Sequence, residues 1–248
     1  MKQVKHLLSA LLLLATVSIQ AQVGIGTATP DASAQLDVSS TTKGFLPPRL
    51  SYNQRDAITP AEGLMIYNTD SKKPNYFDGT GWKNFDGSSS ALVVGNAYQG
   101  GIVAYILQSG DPGYIAGQTH GLIAAASDQS TGAEWGCQGT GMLGNGTALG
   151  TGNQNTIDIM ANCATAGIAA RLCGDLVLNG YSDWYLPSKD ELNKLYINQV
   201  AVGGFSNFYY WSSSEYNIVL AWNQGFNLGD QDSDTKNYLL RVRAVRAF

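Results

Sequence analysis

Histidine is almost absent from this chain of 248 residues, which contains only His6 and His120. His6 lies in an apolar leader, and His120 lies in a segment rich in Gly and Thr with no nucleophile motif beside it. A Ser-His-Asp triad needs a serine held against the imidazole. A zinc site needs several His, Cys or acidic ligands at characteristic spacings, which the three cysteines do not have. We therefore predict that the chain is not an enzyme and has neither catalytic nor metal-binding residues.

Charge is also scarce, because only 14% of the residues are charged and the formal net charge is −4. Removal of Lys2 and Lys5 with the leader would lower it to −6. A chain without basic excess cannot neutralise a phosphate backbone, which excludes nucleic acid as an expected partner. The abundant glycine and tyrosine, 29 and 13 residues, favour a turn-rich extracellular protein containing β-structure.

The sequence has no apolar run of the roughly 20 residues that a membrane span needs. Its longest such run, residues 7–17, follows Lys2 and Lys5 and precedes a polar stretch that ends at Ala21. This order predicts a secretory signal peptide at residues 1–21, no transmembrane segment, and a secreted or cell-surface location.

The three cysteines predict one disulfide, since an exported chain is exposed to an oxidising compartment. Cys163 and Cys173 are expected on one helix, where a rise of 1.5 Å per residue separates their Cα atoms by about 15 Å, beyond disulfide reach. Cys137 is therefore the expected partner of one of them. We favour Cys163, which leaves Cys173 as a small buried residue.

The predicted organisation is a β-rich stalk at residues 22–85, a linker at 86–94 and a larger domain at 95–248. Strands are expected at residues 44–49 and 63–68, and a hairpin at residues 75–85 turns through Asp78-Gly79-Thr80-Gly81. The stalk has few apolar positions and would bury little core alone. We expect it to pack on copies of itself or on the next domain.

The larger domain begins with two apolar segments, residues 101–107 and 121–126, that predict strands inside a sheet. Residues 136–152 are mostly Gly, Thr and Asn and predict a long loop. The segment 239–245 predicts a closing strand. The candidate dinucleotide fingerprint at residues 139–144 matches in letters only, because no strand precedes it.

Two helices are predicted in this domain. The first begins near Thr156, with an apolar face at three- and four-residue steps formed by Ile157, Met160, Ala164, Ile168 and Leu172. The second begins at Ser188, which stands three residues before Glu191 in the spacing of a capping box. Leu192, Leu195 and Tyr196 form its apolar face.

Residues 23–27, 34–38 and 43–49 (VGIGT, AQLDV and KGFLPPR) resemble the N-terminal repeat of phage tail-fibre-like and surface adhesin proteins. The resemblance covers about a quarter of the chain. It implies a stalk or connector that carries no chemistry and can assemble as a homotrimer.

Residues 180–188 (GYSDWYLPS), 210–215 (YWSSSE) and 242–246 (VRAVR) resemble the C-terminal domain family of collagen-like adhesins, Lcl. The resemblance covers residues 95–248. It implies an α+β, C-type-lectin-like domain with two helices and a twisted antiparallel sheet, related to formylglycine-generating enzymes. Those enzymes use a thiol pair, which two cysteines on one helix do not recreate. Glycosaminoglycan adhesion, reported for one member, is not expected here, because this chain is not basic and lacks Gly-X-Y repeats.

The tail from Tyr210 to Arg246 also resembles the variable regions of lectin-fold proteins that retroelements diversify, and its Tyr, Trp, Ser, Gly and Asn resemble an antibody paratope in composition. We expect Trp211 and Trp222 to lie mainly in the core, and Tyr216, Asn217, Asn223 and Gln224 to be exposed. The predicted ligand-binding residues are Tyr210, Trp211, Ser213, Glu215, Tyr216, Asn217, Trp222, Asn223, Gln224, Asn227 and Asp230.

These residues predict an exported adhesin or ligand-binding protein that recognises a glycan or a host or bacterial surface protein. The alternative is a structural fibre or envelope subunit without a ligand of its own. Asp230, Asp232 and Asp234 alternate like half of a calcium loop, but Thr235 stands where the loop glycine belongs. An EF-hand is therefore excluded. Calcium stays open, and no other cofactor is expected.

Overall fold

The computed structural model describes residues 22–141 and 146–248. The described residues form five helices and fifteen strands, which confirms a mixed α+β fold with a β-rich N-terminal segment. Their helices are all too short or too polar to cross a bilayer. The predicted signal peptide lies outside the described residues, as do residues 142–144 of the candidate dinucleotide fingerprint. The chain divides into two compact units, residues 1–47 and 48–248.

The first unit contains a two-stranded parallel ribbon of β1 (Val23–Ile25) and β2 (Leu36–Val38). Val23 pairs with Leu36 and Ile25 with Val38, and residues two apart on a strand share a face. The four side chains therefore lie on one face, where they are 53%, 52%, 55% and 41% exposed, respectively. An isolated two-stranded ribbon is only marginally stable in water.

The second unit opens with a four-stranded sheet in the order β3-β4-β5-β6. Its elements are β3 (Arg49–Leu50), α1 (Tyr52–Asp56), β4 (Met65–Asn68), β5 (Lys73–Phe77) and β6 (Trp82–Asn84). Strands β5 and β6 confirm the predicted hairpin, and β4 confirms the strand at 63–68. The strand predicted at 44–49 is wrong except for its last residue, because Pro47 and Pro48 cannot donate backbone hydrogen bonds to a sheet.

Arg55, on the helix α1 that the sequence analysis missed, is buried in this part of the second unit. Its Nη1 donates to Asn75 Oδ1 and to the carbonyl and hydroxyl oxygens of Ser90. Its guanidinium lies 4.9 Å from the ring centroid of Tyr52 and 5.5 Å from that of Trp82. One buried cation therefore connects the helix, the small sheet and the segment that follows it.

A second four-stranded sheet, antiparallel throughout, has the order β15-β9-β8-β7. Its strands are β7 (Ala97–Tyr98), β8 (Gly101–Ile106), β9 (Gly121–Ala124) and β15 (Val245–Ala247). Strands β8 and β9 confirm the two apolar strands predicted here. Val103 and Ile123 are fully buried on them, which explains why these segments lack polar alternation.

The third sheet has five strands in the order β10-β14-β11-β12-β13. They are β10 (Ser130–Ala133), β11 (Tyr209–Glu215), β12 (Leu220–Gly225), β13 (Gln231–Thr235) and β14 (Leu240–Val242). The single closing strand predicted at 239–245 is wrong, because β14 pairs in this sheet and β15 pairs in the other. The chain changes sheets at Arg243, whose buried guanidinium binds Asp128 and the carbonyl of Ala125.

The single helix predicted from Thr156 is two helices, α2 (Gly152–Asn162) and α3 (Ala169–Gly174). The break follows Cys163, whose backbone is extended, and includes Gly167 at φ +72°. Ile157, placed on the predicted apolar face, is 51% exposed, whereas Ile159 is buried. Cys163 and Cys173 therefore do not share a helix.

Helix α4 (Lys189–Ile197), followed by α5 (Gln199–Val202), begins with the predicted capping box. Ser188 Oγ accepts from the Glu191 N–H, and Glu191 Oε2 accepts from the Ser188 N–H at 2.7 Å. The other oxygen, Oε1, accepts from the Gly150 N–H. Glu191 is fully buried, and this burial raises its pKa despite these hydrogen bonds.

Replacement of Glu191 by Gln should make stability less dependent on pH. A carboxyl whose pKa rises on folding contributes its full stability below its unfolded pKa and loses it as the pH rises. The wild-type free energy of unfolding, relative to Glu191→Gln, should therefore fall as the pH rises above 4.5. Urea unfolding at a series of pH values measures it, with the exposed Glu134→Gln as control. A difference in unfolding free energy between the wild type and Glu191→Gln that is the same at every pH would contradict this expectation.

Candidate ligand-binding face

The hairpin of β11 and β12 places the predicted binding residues at two ends of one sheet. The two strands are antiparallel, and their pairing runs from Tyr209 opposite Gly225 to Glu215 opposite Ala221. The register shifts between Trp211 and Glu215. At the tip, Asn217 Oδ1 accepts from the N–H groups of Val219 and Leu220, at 2.8 and 2.9 Å. Asn217 is exposed, but its side-chain oxygen closes the turn.

A pair of aromatic side chains, one exposed and one half-buried, lies beside this tip. The Tyr216 ring is 54% exposed and meets the half-buried Trp222 ring edge to face, with 5.2 Å between centroids. Lys189 Nζ lies 4.0 Å from the Trp222 centroid. The Lys189 backbone N–H donates to Ser214 Oγ, and its carbonyl accepts from Gln231. These backbone hydrogen bonds therefore fix Lys189 beside the two rings. We call the surface formed by Tyr216, Trp222 and Lys189 the aromatic pair site.

Four of the predicted ligand-binding residues are buried within β11. Tyr210, Trp211 and Ser213 have no exposed surface, and Glu215 is 6% exposed. Trp211 Nε1 donates to the Ala133 carbonyl at 2.8 Å, which confirms its expected place in the core. These side chains position the hairpin and do not reach its surface.

The expectation that Asn223 and Gln224 are exposed is wrong, since they are 1% and 0% exposed. Strand β13 pairs with β12 from Leu220 to Gln224, so these two residues do not lie on a free sheet edge. Asn223 Nδ2 donates to Asp234 Oδ2, and Gln224 Nε2 donates to the Asp230 carbonyl. The sequence could not show that another strand follows at this edge.

Asn227 and Asp230 lie at the other end of β12, away from the tip. Asn227 is exposed, and half-buried Asp230 accepts a 2.7 Å hydrogen bond from the Tyr209 hydroxyl. This hydrogen bond, followed by slight burial and by the charges of Asp230, Asp232 and Asp234, raises the pKa of Tyr209. The structure therefore brings together Tyr216, Asn217 and Trp222, but not Asn227 and Asp230.

A buried ion pair supports the tip, and its lysine was missed by the sequence analysis. Lys236 Nζ contacts Glu215 Oε1, donates to the Thr140 carbonyl and lies 4.5 Å from the Trp135 ring centroid. Both charged side chains are almost completely buried. Lys236 follows an alternating acidic strand in a polar segment, so no sequence signal indicated that it would be internal.

The disulfide joins Cys137 to Cys163, as the sequence analysis favoured, with an S–S distance of 2.01 Å. The expected buried place of Cys173 is also confirmed. Two residues after Cys137, the Gly139 N–H donates to the Ile218 carbonyl at 2.8 Å. The crosslink therefore fixes the loop that contacts the hairpin tip. It also leaves no Cys163–Cys173 thiol pair of the kind used by formylglycine-generating enzymes.

Strand β13 contains Asp232 and Asp234, and Asp230 directly precedes it. These three residues therefore do not form a calcium loop. Among residues 22–141 and 146–248, no three or more His, Cys, Asp or Glu side chains are placed to hold a metal ion. His120 contacts the Phe248 carbonyl and the Gln118 amide oxygen. The absence of catalysis and of a cofactor stays a prediction, and calcium binding stays open.

The order of the two parts defines a modular class of protein, in which an assembly region precedes a globular domain. Residues 24–97 match the phage tail like trimerisation region, and residues 124–246 match the Lcl C-terminal domain. Both resemblances are thereby confirmed, and residues 124–246 of this chain are similar to the C-terminal domain of the adhesin-like Lcl family. No match was found among curated proteins.

Loss of the disulfide should destabilise the domain by about 3.5 kcal/mol in the chain-entropy model, given a sequence separation of 26 residues. The variant is Cys137→Ser with Cys163→Ser, and urea unfolding measures the change. Cys173→Ala is the control, because that cysteine is free and buried. Reductant should lower the urea midpoint of the wild type and the control but not of the double variant. An unchanged wild-type midpoint in reductant would contradict this.

Proposed function

We propose that the chain is an exported, non-enzymatic surface adhesin whose C-terminal domain binds a glycan or a surface protein at the hairpin tip. The observation that carries the proposal is the aromatic pair site. Exposed tyrosine and tryptophan offer rigid contact area at low entropic cost, and their ring faces stack on apolar ligand surfaces. Lys189 adds a donor beside the Trp222 ring.

A C-type-lectin-like arrangement is part of this proposal. The closing strands β14 and β15 belong to different sheets, and helices α2 and α4 are the two longest described helices. Such a framework would support a binding surface made by loops and hairpins at one end. The proposed relation to formylglycine-generating enzymes concerns the fold alone, and the disulfide at Cys163 supports the proposal that the domain has no thiol-based site.

The glycan proposal predicts that Tyr216→Ser abolishes binding of the mature chain, residues 22–248, to an array of neutral, acidic and sulfated glycans. The exposed position of Tyr216 should leave the melting temperature almost unchanged, since surface substitutions usually change stability by less than about 0.5 kcal/mol. Tyr114→Ser is a control, because Tyr114 is also exposed, at 39%, but lies elsewhere. The array is run with and without calcium. Equal glycan binding by Tyr216→Ser and Tyr114→Ser would exclude the aromatic pair site as the glycan-binding site.

We further propose that the chain assembles as a homotrimer through its N-terminal region. The support is the match to a trimerisation region and the apolar ribbon face of Val23, Ile25, Leu36 and Val38. Four aliphatic side chains on a marginal ribbon favour burial against other copies. The same face supports the alternative of a purely structural subunit, in which the C-terminal domain has no ligand.

Placing a charge on the ribbon face should therefore dissociate the trimer. Ile25→Asp with Val38→Asp should elute with the mass of one chain in light scattering coupled to size exclusion, whereas the wild type should have the mass of three. Asp37→Asn is the control, because Asp37 lies on the opposite face of β2. A trimeric double variant would show that other residues make the interface.

A further inference from the structure

Five large apolar side chains are exposed at the hairpin tip and on the turn beside it, and we call this group the apolar lip. They are Tyr216, Ile218, Val219, Tyr238 and Leu239, exposed by 54%, 55%, 37%, 54% and 68%. The Lys236 N–H donates to the Val219 carbonyl, and the Tyr238 N–H donates to the Thr235 carbonyl. These bonds place the turn after β13 against the tip between β11 and β12.

The aliphatic members of the lip distinguish between classes of ligand. Ile218, Val219 and Leu239 have no side-chain donor or acceptor and no aromatic face, so they can neither bond sugar hydroxyls nor stack on a sugar ring. A contiguous exposed apolar surface on a folded domain is typical of a protein-binding site. The composition of the lip therefore favours a protein over a glycan.

The exposed charges on the β10 and β13 side of the lip are negative, whereas Lys189 lies on the opposite side, 4.0 Å from the Trp222 ring centroid. Exposed Glu134 lies between Ala133, which pairs with Leu240, and Trp135, whose N–H donates to the Lys236 carbonyl. Exposed Asp232 and half-buried Asp234 follow on β13. The nearby cation of Lys236 is buried against Glu215 and does not offset them at the surface. A partner with Lys or Arg beside its apolar residues would have the complementary charge.

Hydrogen bonds and an ion pair also fix the backbone conformation of the lip in the absence of a partner. Asn217 Oδ1 closes the tip, the Gly139 N–H bonds the Ile218 carbonyl, and the Lys236–Glu215 pair fixes the base. A preorganised apolar surface loses little conformational entropy on binding. These contacts favour a defined docking surface over a flexible one.

We infer that the apolar lip binds a protein segment whose apolar side chains are flanked by Lys or Arg. This inference rests on the proposed binding function of the hairpin tip and names the class of its ligand. Tyr216 belongs to both the lip and the aromatic pair site, so the aliphatic residues supply the distinguishing variants.

The test is selection of a displayed library of random linear peptides on the immobilised mature chain. Selected peptides should share aromatic or aliphatic residues next to Lys or Arg. Ile218→Ser with Leu239→Ser should weaken their binding about tenfold or more, because apolar contacts at an interface centre dominate affinity. Leu228→Ser is the matched control, since Leu228 is 81% exposed but lies at the opposite end of β12.

Reversal of the rim charge gives a second readout. Asp232→Lys should weaken the selected basic peptides, and the weakening should shrink at high salt. Recovery of no peptide, or of peptides indifferent to the Ile218 and Leu239 variants, would overturn the inference. If a glycan then bound in a Tyr216-dependent manner, the proposed function would stand without the inference about the apolar lip. If neither glycan nor peptide bound, the proposed function and the inference would both fail.

Discussion

The contact between Arg243 and Asp128 holds together the two sheets on which the candidate site depends. Arg243 is fully buried, its Nε donates to Asp128 Oδ1, and its Nη groups donate to the carbonyls of Ala125 and Gly204. A buried guanidinium is stable only when its donors are satisfied. Because β14 and β15 flank this residue, its contacts link the strand that supports β11 to the strand that pairs with β9. Asp128 is also bound by Arg241 and by the Tyr210 hydroxyl.

Local rules predicted the elements that local chemistry determines. The capping box at Ser188, the Asp78 turn and the apolar strands β8 and β9 all follow from residues within a few positions of one another. Ser51 and Gln54 form the same kind of capping box at α1, but a helix of only five residues gave too short a pattern to notice. The disulfide was predicted from a wrong premise, because α2 ends at Asn162 and Cys163 does not share a helix with Cys173.

The candidate site could be predicted only in part, because exposure along β12 depends on residues far away in the fold. Trp222, Asn223 and Gln224 are consecutive, yet only Trp222 retains exposed surface, since β13 and its hydrogen bonds enclose the other two. Lys189 is 33 positions from Trp222 in sequence and meets it only through the packing of α4. Pairing between distant segments leaves no periodic signal in a single sequence.

The residues that carry the family resemblance serve the framework. Asp183 pairs with Arg246, Ser188 caps α4, and Trp211 donates to a core carbonyl. The exposed side chains of the apolar lip lie between these motifs, at residues 216–219 and 238–239. The match to the Lcl C-terminal domain therefore rests on framework residues, whereas the proposed ligand contacts lie outside the motifs. An acidic rim on such a scaffold can select a partner of opposite charge to that of a sulfated glycan.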